Sequence, residues 1–366
     1  MKITIFANGV SNGGAEHVAC NLSNFFVSQN YEVDLLTMAD DKPTYFIDNR
    51  VNRISILNAS ERKGFIHNLS VRKQKFIEYI KQSDTDCFIA FFPIATIILS
   101  LLRKRLKVPV ITSERANPYK YSWYYKILLK KFVPLADINV FQSLGQKFFY
   151  GNRLNEKNCR VIPNACEIHT EPKEWSDRKK VIVSAGRLTK TKNYSMLINA
   201  FSTLQEKGKD YKLIIYGEGP ERSNLENQIR TLGLTDRVYL PGRKDNVEDY
   251  IKECKIFVLS SMSEGMPNAL IEAMSLGLAC IATDCPTGGC RSLITTNVNG
   301  ILIPVENTDE LADSMERLID NEDLAIKLGI EATKINKEYS PVRIYAEWED
   351  VVKYCIDKNF QNKNIC

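Results

Sequence analysis

Residues Phe257 to Asp284, FVLSSMSEGMPNALIEAMSLGLACIATD, read as strand, tight loop, helix and strand. Phe257-Val258-Leu259 is a short apolar run of the kind that fills a buried parallel strand. Met262-Ser263-Glu264-Gly265-Met266 is the loop. Pro267 and Asn268 open a helix that ends at Gly277, proline fitting a first turn and glycine the position past the last. Ala279-Cys280-Ile281-Ala282 supplies the next strand. A helix starting in such a loop points unpaired N–H groups, and the positive end of its dipole, into the crevice at the strand ends, where open α/β sheets bind anions. Two carboxylates frame that site: Glu264 in the loop, and Glu272, which shares a helix face with Asn268. Carboxylates cannot hold a phosphate, but they accept hydrogen bonds from sugar hydroxyls, so the pair fits a nucleotide-sugar. On spacing alone a second reading stands beside it, in which Glu272 only favours its helix N-terminus and Glu264 is a solvated loop charge.

Upstream, Val181 to Ala185 reads as a strand that runs into Gly186-Arg187-Leu188-Thr189-Lys190-Thr191-Lys192. A guanidinium grips a diphosphate bidentately and an ammonium adds a point charge; taken alone, the two cations read equally as solvated loop charges. Tyr211 to Gly217 and Val238 to Gly242 are further strands, the first ending in Gly217-Glu218-Gly219-Pro220 and the second followed by Arg243. Thr283-Asp284 and Gly288-Gly289 end another, and Asn299-Gly300 is a turn.

Glu264-Gly265-Met266-Pro267-Asn268-Ala269-Leu270-Ile271-Glu272-Ala273-Met274 resembles the two-glutamate signature of the retaining family-four glycosyltransferases. The resemblance continues, in order, through Gly186-Arg187-Leu188, Lys192-Asn193, Gly217-Glu218-Gly219-Pro220, Thr283-Asp284-Cys285-Pro286 and Asn299-Gly300. It implies a GT-B fold: two Rossmann-like, doubly wound α/β domains facing a cleft. Residues 1–167 would bind the acceptor and 168–340 the nucleotide-sugar, while 341–366 would form a helix packing back toward the first domain. By the same resemblance Arg187 and Lys192 hold the diphosphate of a UDP-sugar, Glu264 binds the donor sugar's hydroxyls, and Glu272 binds the ribose. Gly186, Arg243, Gly265, Met266, Pro267 and Asn268 complete the donor site. The family's Gly-Gly-Ala-Glu loop matches Gly13-Gly14-Ala15-Glu16, with Gly14 toward the donor and Gly13 toward the acceptor. Neither metal nor cofactor is expected, because the cations and the helix dipole take the metal's place.

In the first half, Lys2 to Ala7 is a strand, followed by the loop Asn8 to Gly14 and a helix from about Ala15. Gly13-Gly14 lets backbone approach a ligand at this turn, or serves as a plain tight turn; the stretch lacks a dinucleotide fingerprint. His17 reads as a helix residue rather than a base. Tyr31 to Met38 and Val51 to Leu57 are strands, and Asn68 to Gln82 is helical. Asp84-Thr85-Asp86 precedes a strand instead of terminating one, so it reads as a solvated loop rather than a metal motif. Val108 to Ser113 is a strand ending in Ser113-Glu114-Arg115-Ala116-Asn117-Pro118, polar residues at the carboxyl end where these sheets bind ligands. Many members of the resembled family carry a histidine near here. The Ser-Glu-Arg form resembles a subgroup building surface polysaccharides such as capsule and lipopolysaccharide, and it implies acceptor-side roles for Glu114 and Arg115.

The net charge of +5 hides an asymmetry, since residues 1–168 hold 23 Lys+Arg against 14 Asp+Glu, and the remainder holds 26 against 30. Ten of the bases and only two acids fall in residues 101–150. Within them Lys120 to Val133, KYSWYYKILLKKFV, mixes aromatics with lysines, which fits either a surface lying on anionic lipid or a helix whose lysines face water. No nucleic-acid motif accompanies the charge. Cys87 to Leu102 is uncharged for 16 residues, short of the ~20 a membrane span needs, and Pro93 divides it into strand and helix. The ten cysteines include no CxxC pair, which predicts free thiols in a reducing cytoplasm. The opening MKITIFANG is too short an apolar run for a signal peptide. The expectation is therefore a retaining transferase, cytoplasmic or peripheral on the inner face of the plasma membrane, moving a hexose or N-acetylhexosamine from a UDP-sugar to a glycan or lipid-linked glycan acceptor. A nucleotide-sugar epimerase or a non-catalytic nucleotide-sugar-binding protein are the alternatives.

Overall fold

The computed structural model describes residues 1–11, 13–38, 42–57 and 65–363. They fall into two compact units, Met1–Asn164 joined by Val342–Cys366, and Ala165–Pro341. The first unit is built on a parallel sheet of seven strands: β1 (Lys2–Ala7), β2 (Glu32–Thr37), β3 (Asn52–Ser55), β4 (Cys87–Ala90), β5 (Val110–Glu114), β6 (Ile138–Phe141) and β7 (Cys159–Val161), in the order β3-β2-β1-β4-β5-β6-β7. The second has six: β8 (Lys179–Ala185), β9 (Lys212–Tyr216), β10 (Val238–Tyr239), β11 (Cys254–Leu259), β12 (Ala279–Thr283) and β13 (Ile301–Ile303), in the order β10-β9-β8-β11-β12-β13. Each chain path leaves its sheet centre in one direction and returns to the other side. Strand order therefore reverses between β1 and β4 in the first unit and between β8 and β11 in the second. Loops diverge at such a switch point and leave a crevice at the carboxyl edge.

The second sheet is apolar on both faces, as parallel strands covered by helices must be. Ile182, Leu213, Ile215, Ile256 and Val258 point into one core with the helices Tyr194–Glu206 and Thr308–Asp320. Val181, Val183, Phe257 and Leu259 point into the other, against Leu270, Ile271, Ala273 and Met274 of the helix Asn268–Ser275. In the first unit Phe6, Leu36, Phe88 and Ala90 pack with Phe76 and Ile80 and with Ala95 and Leu99. The closing helix Pro341–Lys363 is held to the first unit through Trp348, 1% exposed, which stacks on Phe91 at 5.8 Å.

Several local readings shift. The uncharged run divides into β4 and the helix Pro93–Leu102, but its bases form a separate 3-10 turn, Arg103–Arg105. Among the described residues no helix is long and apolar enough to cross a membrane. The basic aromatic segment is helical only over Trp123–Phe132, because Asn117 caps the Pro118–Lys120 turn ahead of it. Asp84-Thr85-Asp86 is a loop with Asp84 exposed to solvent, as expected, but it is tethered. Lys2 Nζ donates to Asp84 at 2.6 Å, Lys2 N donates to Asp86 at 2.8 Å, and Thr85 is buried, so the turn ties the start of β1 to the start of β4. Phe65–Gln82 is helical from before Asn68. Nine of the ten cysteines are free and buried; Cys366 lies outside the described residues.

Candidate active site

Ile182 and Val183 of β8 pair with Ile256 and Phe257 of β11. The loops after these two strands therefore leave the sheet side by side. They are tied together by backbone and side chain: Met262 N donates to Thr191 O at 2.8 Å, and Ser260 Oγ donates to Lys192 O at 2.9 Å. That clamp brings together residues 72 positions apart in the chain. Lys192 Nζ donates to Glu264 Oε1 at 2.7 Å, and Ser261 Oγ donates to the same oxygen at 2.5 Å. The pair is largely sheltered, with side-chain exposures of 22% and 12%. Burial opposes the charge on Lys192, but the adjacent Glu264 carboxylate outweighs it and holds the ammonium's pKa above its ordinary value.

Beyond Glu264 the chain turns through Gly265 and buried Met266 into Pro267, which stands just outside the helix Asn268–Ser275 in an extended conformation. Thr287 Oγ1 donates to Glu264 O at 2.5 Å. Gly289 lies so close that a Cβ there would stand 1.9 Å from Gly265 O. The loop's backbone is thus pressed from behind by the segment after β12. At the far end of the helix, buried Arg178 donates to Leu276 O at 2.7 Å and Gly277 O at 2.9 Å, satisfying carbonyls that a helix C-terminus leaves open. Strapped at its end and packed along its apolar face, the helix holds Asn268 and Glu272 on its less buried side. The Glu272 carboxyl makes no hydrogen bond among the described residues. Burial, with a smaller contribution from Glu248, pushes its pKa up to about 7, against the opposing pull of Lys192.

The structure brings Gly186, Lys192, Glu264, Gly265, Met266, Pro267, Asn268 and Glu272 to this one edge. Arg187 follows Gly186 with its side chain exposed, and Arg243 is exposed beyond β10. In the first unit Gly13 is the extended residue before the helix Gly14–Ser28. The Glu16 carboxylate folds over it, 1.9 Å from where a Gly13 Cβ would stand. His17 stacks on Tyr45 at 4.5 Å. Glu114 and Arg115 lie at the end of β5 and are both buried. Tyr121 and Tyr150 donate to the two Glu114 oxygens, each at 2.9 Å, and burial raises the carboxyl's pKa. Arg115 donates to Ser113 at 2.7 Å and to Asn164 at 3.0 Å, and lies over Phe91 and Trp348 at 5.0 and 5.2 Å. Sequence reading passed over Ser261, Thr287, Arg178 and Tyr194. Thr287 and Arg178 act through hydrogen bonds to partners far along the chain, for which one chain offers no local signal, whereas Ser261 bonds to Glu264 only three residues on.

Two Rossmann-like units, the second with a cation–carboxylate site at its switch point, are the architecture of GT-B glycosyltransferases. The chain belongs to glycosyltransferase family 4: the model "Glycosyltransferase Family 4" matches residues 12–169 and "Glycosyl transferases group 1" matches 167–335. It is 26% identical to a Campylobacter jejuni α-1,4-N-acetyl-D-galactosaminyltransferase whose name specifies a GalNAc-GalNAc-diNAcBac-PP-undecaprenol acceptor, over 95% of this chain and 97% of that one. The amylovoran biosynthesis glycosyltransferase AmsD of Erwinia amylovora is 25% identical over 96% and 99%. Among solved structures, Anabaena HepE in complex with UDP and glucose superposes with a TM-score of 0.80 at 18% identity, covering 97% of this chain and all of that one. The lipopolysaccharide outer core galactosyltransferase WaaB gives 0.76 at 21%, covering 97% and 99%.

Proposed function

We propose that this glycosyltransferase moves a hexose or N-acetylhexosamine from a UDP-sugar to a hydroxyl of a lipid-linked glycan, with retention, in bacterial surface-polysaccharide synthesis. The observation that carries the donor reading is the second unit's edge. There the Lys192 ammonium, a helix N-terminus, the paired Glu264 and the unpartnered Glu272 carboxyl converge. The positive groups suit a diphosphate and the carboxylates suit hydroxyls. Lys192, Arg187 and the helix N-terminus that follows Pro267 stabilise charge developing on the departing UDP, an effect of several kcal/mol when such donors are preorganised. Glu264 receives the donor sugar's hydroxyls and Glu272 those of the ribose. The UDP complex of HepE supports the choice of nucleotide, and the undecaprenol-linked acceptor of the Campylobacter relative supports the acceptor class. No metal takes part in this scheme, because these cations and the helix dipole fill its role.

The acceptor reading places the enzyme at an anionic membrane surface through the helix Trp123–Phe132. Trp123 and Ile127 are 74% and 59% exposed there, beside Lys126, Lys130 and Lys131.

Calorimetric titration of UDP in EDTA tests the donor site. Wild type should bind, Glu272→Ala should bind about tenfold more weakly, and Glu264→Ala should keep UDP affinity while losing sugar turnover. Abolition of wild-type binding by EDTA overturns the metal-free scheme, and equal losses in both variants overturn the division of roles.

A further inference from the structure

A buried tyrosine hydroxyl lies behind Lys192. Tyr194 opens the helix Tyr194–Glu206, and its side chain is 2% exposed. Its hydroxyl is buried without a hydrogen bond among the described residues. The nearby Ser184 hydroxyl gives its proton to Val258 O at 2.6 Å, so it can only accept from the phenol and offers the Tyr194 oxygen no donor. The Tyr194 oxygen therefore bears a desolvation cost with no donor to offset it. Gly186 explains where the hydroxyl points. With φ +154° and no side chain, Gly186 leaves a gap. The position its Cβ would take is 2.8 Å from the Tyr194 hydroxyl, 3.2 Å from Lys192 Cε and 3.5 Å from Lys192 Nζ. The phenol and the ammonium therefore flank one small gap, while the ammonium is engaged with Glu264 on its other side.

Resting on the donor-site reading above, we propose that Tyr194 is a positioning residue for Lys192 in the donor-bound state. Glu264 holds Lys192 in the structure. A donor sugar claims the Glu264 oxygens and a diphosphate claims one ammonium proton. A second proton then turns to the Tyr194 oxygen across the gap over Gly186. The ammonium is fixed between phenol and phosphate, and the buried hydroxyl gains the partner it lacks. Gly186 is required twice: for its backbone angle and because any side chain would fill the gap.

Tyr194→Phe tests this because a resting-state role and a bound-state role predict opposite patterns. Removing an unpartnered buried hydroxyl should leave the melting temperature of the ligand-free protein unchanged or raised. UDP affinity should fall about tenfold, with the matching loss of UDP-induced thermal stabilisation. With the donor substrate, kcat should fall more than KM rises. In a double-mutant cycle, Tyr194→Phe should add nothing once Lys192→Ala is in place. A lower melting temperature with unchanged UDP affinity would assign the hydroxyl a structural role and overturn the proposal, as would fully additive losses in the cycle. Failure of the wild type to bind UDP, GDP or ADP would instead overturn the donor-site reading, and this inference with it.

Discussion

Glu272 is a carboxyl kept near neutrality by burial, with a pKa pushed up to about 7. The unfolded chain gives the same group an ordinary carboxylate value, so below about pH 4.5 it is protonated in both states and costs nothing. As pH rises toward 7 the unfolded state releases its proton first, and the folded state loses stability relative to it. Glu272→Gln should therefore raise the denaturation midpoint at pH 8, by at most about 1–3 kcal/mol, and leave it unchanged near pH 4. Binding carries the opposite sign. Wild-type affinity for UDP should weaken as pH falls from 8 to 6, because the ionised carboxylate is the better acceptor for ribose hydroxyls, whereas the Gln variant should be flat. A pH-independent wild type would remove Glu272 from the nucleotide site. The residue was visible in the sequence through its four-residue spacing from Asn268, but its lack of a partner was not, since that depends on what Lys192 and Ser261 prefer in three dimensions.

The helix Asn268–Ser275 shows how little of an element's position lies in its own sequence. Its start at Pro267–Asn268 and its end before Gly277 follow from proline and glycine chemistry. Its placement does not: Arg178 secures the end, Thr287 holds the Glu264 carbonyl, and Gly289 allows the loop to lie where it does. Because the atom facing Gly289 is backbone, Gly289→Ala cannot be absorbed by a rotamer change. It should displace the Glu264–Met266 loop, destabilise the fold by about 3 kcal/mol or more, and weaken UDP binding beyond detection at concentrations that saturate wild type. A variant that melts and binds like wild type would mean the loop yields freely. In the first unit, Glu114 and Arg115 stand where a sheet of this type presents ligand-binding groups. Their hydrogen bonds run to Tyr121, Tyr150, Ser113 and Asn164, contacts that no local spacing forecasts.

At the scale of the whole molecule, the stretch 101–150 that carries the surplus of bases also exposes Trp123, Tyr124, Ile127, Leu144 and Phe148, while Arg115 within it is buried. Co-sedimentation with phosphatidylglycerol-containing vesicles should exceed that with phosphatidylcholine vesicles and decline with added salt. Trp123→Ser with Ile127→Ser should reduce it about tenfold and leave UDP binding intact, since neither residue belongs to the second unit. Equal sedimentation of variant and wild type would remove the membrane from this surface. The sequence by itself determined two parallel doubly wound halves, because apolar runs alternating with helical periodicity admit few other arrangements, and it singled out the loops that meet at one edge of the second sheet. Only the tertiary structure decided that Lys192 rests on Glu264, that no donor among the described residues reaches the Tyr194 oxygen and that Glu272 sits near neutrality. Each of these follows from burial and from contacts between residues far apart in the chain. Desolvation and hydrogen-bond competition acquire a sign and a size only once the surrounding atoms are in place.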